Sequence, residues 1–278
     1  MTVRLAYLGP PGTFTEEALL SAPEAAGAEP MPMQTVPEVI AAVARGDVPG
    51  GVVPIENSIE GSVNVTLDTL AFESNDVVIQ REIVLPVRHA LLARPGVAIS
   101  SIVAVVSHPH ATAQCRSFLS ENLPKAEVRA ANSTAEAAQL VAERGPIEPW
   151  AAIGTQLAAR LYGLEVLAPD IEDRRENSTR FVLVGRESVP PTGSDKTSVV
   201  CFIAKDRPGA LLAILHEFSD RGINLTKLES RPTKERLGEY CFFIDVEGHI
   251  EDPDVGHAIA GLRTKILDVK VMGSYPRA

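Results

Sequence analysis

Short apolar runs recur along the first two thirds of the chain: VRLAYLG (3–9), GGVVPI (50–55), SIVAVVS (101–107), AEVRAA (126–131), WAAIG (150–154) and RFVLVG (180–185). Ala-rich segments of helical character separate them, and this alternation predicts an α/β fold with largely parallel sheets. VVIQREIVLPVRHALLA (77–93) reads as one long strand or two consecutive ones, with Pro86 at a break or an edge because proline cannot donate to a ladder. That interruption is read as a crossover between two lobes.

RESVPPTGSDKTS, after Gly185, can continue neither a helix nor a central strand, which places a domain boundary at 186–196. Beyond it TSVVCFIA, GALLAILHEFSDRG, NLTKLESRP, EYCFFIDVEGH, a helix near 253–263 and ILDVKVMGSY follow in the order βαββαβ, a ferredoxin-like arrangement. A length of 278 residues agrees with more than one domain.

The formal charge of −10 argues against nucleic acid and anionic membrane as partners, since phosphate binding needs clustered Lys and Arg. A small molecule is expected instead. Arg4 interrupts the first apolar segment and no uncharged run reaches the ~20 residues of a bilayer span, so a cytoplasmic protein is expected. Cys115, Cys201 and Cys241 are odd in number, far apart and without metal-ligand spacing; they read as reduced, buried thiols, and no metal is expected.

Candidate chemistry lies where strands end: GPPGTFTEEA (9–18), ENSIEGS (56–62), SHPHATA (107–113), NSTAEAA (132–138) and GTQLAA (154–159). Thr13 with Glu16, and Ser133 with Glu136, have capping-box spacing, so capping alone accounts for much of the Ser and Thr. Parallel α/β sheets nevertheless gather ligands at the carboxyl ends of their strands, and helix starts with hydroxyls form an anion site without lysines. GPPGTFT lacks the spacing and the lysine of a phosphate loop, which discounts nucleotide binding. His108 and His110 have no triad-like carboxylate and read as structural or rim histidines.

GPPGTFT, VPIENSIEGSV, SHPHATAQC, NSTAEAA and ENSTRFVLVG, followed in order by GALLAIL and LESRP, resemble prephenate dehydratase of phenylalanine biosynthesis over essentially the whole chain. The resemblance is to the monofunctional form, because a strand begins at Val3 and leaves no room for a chorismate mutase bundle. One departure is His110, where the family commonly has glutamine.

The resemblance implies a two-lobed catalytic domain similar to the type 2 periplasmic binding fold (1–185, lobe one about 1–78 and 165–185, lobe two about 79–164), a linker at 186–196, and an ACT domain at 197–278. It further implies decarboxylating dehydration of prephenate to phenylpyruvate without metal or organic cofactor, feedback by L-phenylalanine, and a homo-oligomer, dimer or tetramer. Thr179, Arg180 and Phe181 are the implied catalytic residues. Thr179 would donate a hydrogen bond to the leaving hydroxyl, Arg180 would clamp the pyruvyl carboxylate, and Phe181 would pack beneath Thr179. Proton delivery is left open between a water and Glu56 or Glu60. Thr13, Asn57, Ser58, Glu60, Asn132, Ser133 and Gly154 are implied substrate contacts. Gly209, Ala210, Leu211, Asn224, Leu225, Glu229 and Ser230 are implied effector contacts, with Glu229 and Arg231 alternatively forming an interchain pair. Two other readings stand beside this one: arogenate dehydratase, and a non-catalytic amino-acid sensor.

Overall fold

The structure is a computed structural model that describes residues 2–144, 148–203, 208–234 and 239–278. Among these residues the chain begins with β1 (Arg4–Leu8), α1 (Phe14–Ser21), β2 (Glu29–Met33), α2 (Val36–Arg45), β3 (Gly50–Asn57), β4 (Gly61–Ser62), α3 (Asn64–Asp68) and β5 (Val78–Pro86). It continues with β6 (Ala90–Ala93), β7 (Ala104–Ser107), α4 (Pro109–Gln114), α5 (Arg116–Asn122), β8 (Glu127–Ala130), α6 (Thr134–Glu143), β9 (Trp150–Gly154), α7 (Gln156–Tyr162), β10 (Glu165–Ala168) and β11 (Ser178–Gly185). The C-terminal part is β12 (Asp195–Phe202), α8 (Ala210–Ser219), β13 (Leu225–Pro232), β14 (Tyr240–Glu247), α9 (Pro253–Lys265) and β15 (Asp268–Pro276).

Three sheets result, ordered β2-β1-β3-β11-β5 with β4 on β3, then β10-β6-β9-β7-β8, and finally β13-β14-β12-β15. The chain divides into two compact units, Met1–Val39 with Val52–Val63 and Val84–Phe181, and Ile40–Gly51 with Asn64–Ile83 and Val182–Ala278.

The second sheet, within the first unit, is mixed rather than largely parallel: β7 runs parallel to β8 and β9, but β6 is antiparallel to β9 and β10. The long apolar segment 77–93 is two strands that separate after Pro86. Because β5 stays in the first sheet to Pro86, and β10 pairs with β6, the sheets change over later than the expected divides at 79 and 165. Period-two alternation explains the packing of this sheet. Leu92, Val106 and Ala152 face α6 and α7, while Leu91, Val105 and Ile153 face α4 and α5. The alanines of α6, Ala137 and Ala138, let that helix lie close to the strands.

In the second unit α8 and α9 cover one face of the third sheet, burying Ile214, Phe218, Ile259 and Leu262 against Val199, Ile244 and Val269. β12 starts at Asp195, two residues inside the expected linker. There the Asp195 side chain accepts bonds from the Thr192 and Gly193 N–H groups, at 2.7 and 2.9 Å, and fixes the entry turn. All three cysteines are buried free thiols, and burial pushes Cys241 up to about 11.

Candidate active site

The turn after β3 and the start of β11 are 120 residues apart in sequence and are joined by a network of side-chain hydrogen bonds. Backbone N–H groups of Ile59 and Glu60 donate to Asn57 Oδ1 at 2.9 and 3.0 Å, as in an Asx turn. Backbone donors can only meet an acceptor, so they fix the amide orientation. Asn57 Nδ2 therefore donates to Asn177 Oδ1 at 2.9 Å and to Thr179 Oγ1 at 2.8 Å. The Thr179 oxygen accepts in that bond, and its own proton remains for a further acceptor. Ser58 ties the same two segments: its N–H donates to Ser178 O at 2.9 Å, and its Oγ accepts from Ser178 N at 3.0 Å.

Arg180 lies with its guanidinium 3.4 Å from the Glu56 carboxylate and its side chain only 10% exposed. Phe181 is the first buried residue of the strand. Glu60 brings its carboxylate to 3.7 Å from His110 Nδ1, so the SHPH turn approaches the ENS turn. His108 caps α4, its Nδ1 accepting from the His110 N–H, which is the structural role read for it.

Thr13, Asn132 and Ser133 come together elsewhere in the same unit. With Leu8, Pro10, Met33 and Glu136 they line a cavity of about 990 Å³, and the Asn57 and Thr179 pair is not part of that lining. Both capping residues cap: Thr13 Oγ1 accepts from Glu16 N and Ser133 Oγ from Glu136 N. The reciprocal glutamates reach one residue further back than a capping box does, Glu16 to the Gly12 N–H and Glu136 to the Asn132 N–H. Gly12 has φ +90°, and a Cβ there would lie 3.0 Å from Ala158, so glycine lets this turn close on α7. Thr155 completes that closure by donating to Gly12 O at 2.8 Å.

Gly154 does not share this setting. It is buried, and a Cβ on it would meet Leu92 at 3.1 Å and the Thr134 carbonyl at 3.3 Å. Its missing side chain serves the packing of α6 on the sheet.

Residues 5–189 match the prephenate dehydratase family model, and residues 197–262 match that of the ACT domain. The chain belongs to the prephenate dehydratase family. A prephenate dehydratase from Amycolatopsis methanolica is 45% identical over 278 residues, covering 99% of this chain and 89% of its own. The crystal structure of prephenate dehydratase in complex with L-Phe from Arthrobacter aurescens is 44% identical with a TM-score of 0.92, covering 99% of this chain and 90% of its own. GqqA, described as a novel type of quorum quenching acylase, is 31% identical with a TM-score of 0.86, covering 99% of this chain and 98% of its own.

The residues that the prephenate dehydratase resemblance assigns to an effector separate onto two faces of β13. Gly209, at φ +84°, precedes α8, and with Ala210, Leu211, Leu215 and Phe242 it lines a cavity of about 410 Å³. Ser230 pairs with Phe242 in the ladder and so shares its face. Glu229 pairs with Phe243 and points to the opposite face, near Arg231 at 3.3 Å and Lys227 at 3.6 Å. Strand alternation therefore removes Glu229 from the Ser230 cluster. Asn224 precedes the strand, its carbonyl accepting from Glu247 N, and Leu225 opens it and packs on the sheet core.

Arg231 pairs within the chain, donating to Asp68 through Nη2 at 2.7 Å and Nε at 3.2 Å, where an interchain pair with Glu229 was the alternative. Lys234 holds the other oxygen of Asp68 at 2.5 Å. Sequence reading singles out neither Asp68, the partner of Arg231, nor Asn177, Gln114 and His89, which join the Asn57 turn from distant segments.

Proposed function

We propose that this chain removes carbon dioxide and water from prephenate to give phenylpyruvate, with L-phenylalanine as feedback effector at the ACT domain. The observation that carries the catalytic reading is the 2.8 Å bond from Asn57 to Thr179 in a chain of this family. Aromatisation of the ring supplies the driving force, so the enzyme has to assist departure of a hydroxyl. A threonine hydroxyl is a weak acid. Accepting from the Asn57 amide polarises its O–H, and the bond it donates strengthens as negative charge develops on the leaving oxygen.

Arg180 is the cation assigned to the pyruvyl carboxylate, which survives the reaction, exchanging its contact with Glu56 for that grip. The departing carboxylate is left to amide and hydroxyl groups, since a strong cation there would stabilise the charge that decarboxylation must disperse. Thr13, Asn132 and Ser133 are assigned to the substrate through the cavity they line. Ser58 and Glu60 are assigned through their bonds to the Asn57 turn.

For the effector, the aromatic ring is assigned to the apolar cavity at Gly209–Leu211, and its charged ends to backbone groups there and to Ser230. A homo-oligomer that joins two such domains, and a cytoplasmic location, complete the reading. Incubating the purified protein with prephenate and with arogenate in parallel tests it. Phenylpyruvate formed from prephenate faster than L-phenylalanine is formed from arogenate, and slowed by added L-phenylalanine, is the expected result. No product from either substrate overturns it.

A further inference from the structure

The hydrogen bonds that fix Asn57 continue inward. With Asn177 Oδ1 accepting from Asn57, the other atom of that amide is its NH2 group, which donates to Gln114 Oε1 at 3.1 Å. Gln114 therefore presents an oxygen, and the same oxygen lies 3.1 Å from His89 Nε2. An oxygen that only accepts requires a donor opposite, so His89 carries its proton on Nε2. Gln114 Oε1 thus accepts from both His89 and Asn177, and Asn57 donates both to Asn177 and to Thr179, so the orientation of each amide fixes that of the next.

We propose that His89, held as the neutral Nε2–H tautomer, is a positioning residue of the active site, acting with Gln114 and Asn177 to orient the Asn57 amide and through it the Thr179 hydroxyl. The placement rests on the functional reading above.

The surroundings suit a fixed neutral ring. His89 is 3% exposed and Asn177 1%. The Phe14 ring meets the imidazole edge-on at 5.5 Å, and the His89 N–H donates to Glu172 at 2.9 Å, which pins the backbone. His89 Nδ1 has no hydrogen-bond partner among the described residues, which suits the bare lone pair of this tautomer. Burial lowers the imidazole pKa and outweighs the opposing influence of Gln114 and Glu172. Gln114 ends α4, and its carbonyl accepts from Asp173 N at 2.6 Å, so the helix end and the segment leading to Asn177 are themselves joined.

Two measurements on the full chain test the relay. Long-range 1H–15N spectra, with the His89 signal assigned by its loss in His89→Gln, should show the Nε2–H tautomer. The ring should stay neutral through about pH 6.5, where an exposed histidine titrates. In turnover, Gln114→Met should lower kcat by about tenfold with KM nearly unchanged, because a misplaced donor costs transition-state stabilisation. His89→Leu should match it, whereas His89→Gln, which keeps an N–H donor, should recover most of the rate.

An Nδ1–H tautomer, an ordinary titration of His89, a wild-type kcat in Gln114→Met, or equal losses in His89→Gln and His89→Leu would each overturn the proposal. Variants that fail to fold leave the spectrum of the wild-type protein to decide. Wild-type conversion of prephenate tests the functional reading by itself, while ratios of variant to wild type test the relay.

Discussion

Two clusters, one in each compact unit, hold distant segments together by opposite means. Around Thr179 the connecting groups are neutral amides and hydroxyls: Asn57, Ser58, Asn177 and Gln114. Around Asp68 they are full charges, with Arg231 and Lys234 converging on one carboxylate. A charge pair is held mainly by the attraction of opposite charges, and either partner rotates without changing sign. An amide has a donor end and an acceptor end, so each bond dictates the direction of the next. The neutral cluster thereby specifies where the Thr179 proton points, and the charged cluster specifies only that α3 and β13 stay together.

That contrast makes distinct predictions for substitutions of similar size. Thr179→Val, which keeps the shape and removes the hydroxyl, should lower kcat by about 10³-fold while the melting temperature changes little. Asn57→Asp should lower kcat by about 10²-fold, since a carboxylate only accepts and draws the Thr179 proton toward itself. Asp68→Ala should leave kcat within about twofold but cost about 3 kcal/mol in denaturant unfolding, because Arg231 then lies largely buried without this partner. A large kcat effect from Asp68→Ala would erase the distinction between the clusters.

The smallest effect expected is on pH. His89 has a lowered pKa in the folded chain, so below about pH 6.5 the unfolded chain binds a proton that the folded one refuses. The stability contributed by the neutral ring is complete above that pH and declines as the pH falls below it. The decline is at most about 1.4 kcal/mol per pH unit, and His89→Gln should flatten this limb of a melting-temperature profile.

How much of this was legible in the sequence follows from the range of each interaction. Strands such as WAAIG and RFVLVG, and the break after Pro86, are local consequences of apolar runs and proline chemistry, and the structure has them. The helix starts at Thr13 and Ser133 were legible as caps, although the one-residue overreach of Glu16 and Glu136 depends on turn geometry that spacing does not fix. Asn57 and Thr179 were tied only through motif resemblance, because nothing local connects residues 122 positions apart. His89, Gln114 and Asn177 carry no local mark, being joined by topology alone. The separation of Glu229 from Ser230 was readable, since neighbours in a strand face opposite ways. The close packing of α6 at Gly154 was not legible, because a glycine ending a strand looks the same whether it admits a ligand or a neighbouring helix.

The central claim is that Asn57 acts on the reaction through the hydroxyl of Thr179. A double-mutant cycle of Asn57→Ala and Thr179→Val, read as kcat with prephenate, tests it most directly. If Asn57 works by orienting that hydroxyl, the double variant should be about as slow as Thr179→Val alone. Losses that multiply would contradict the account.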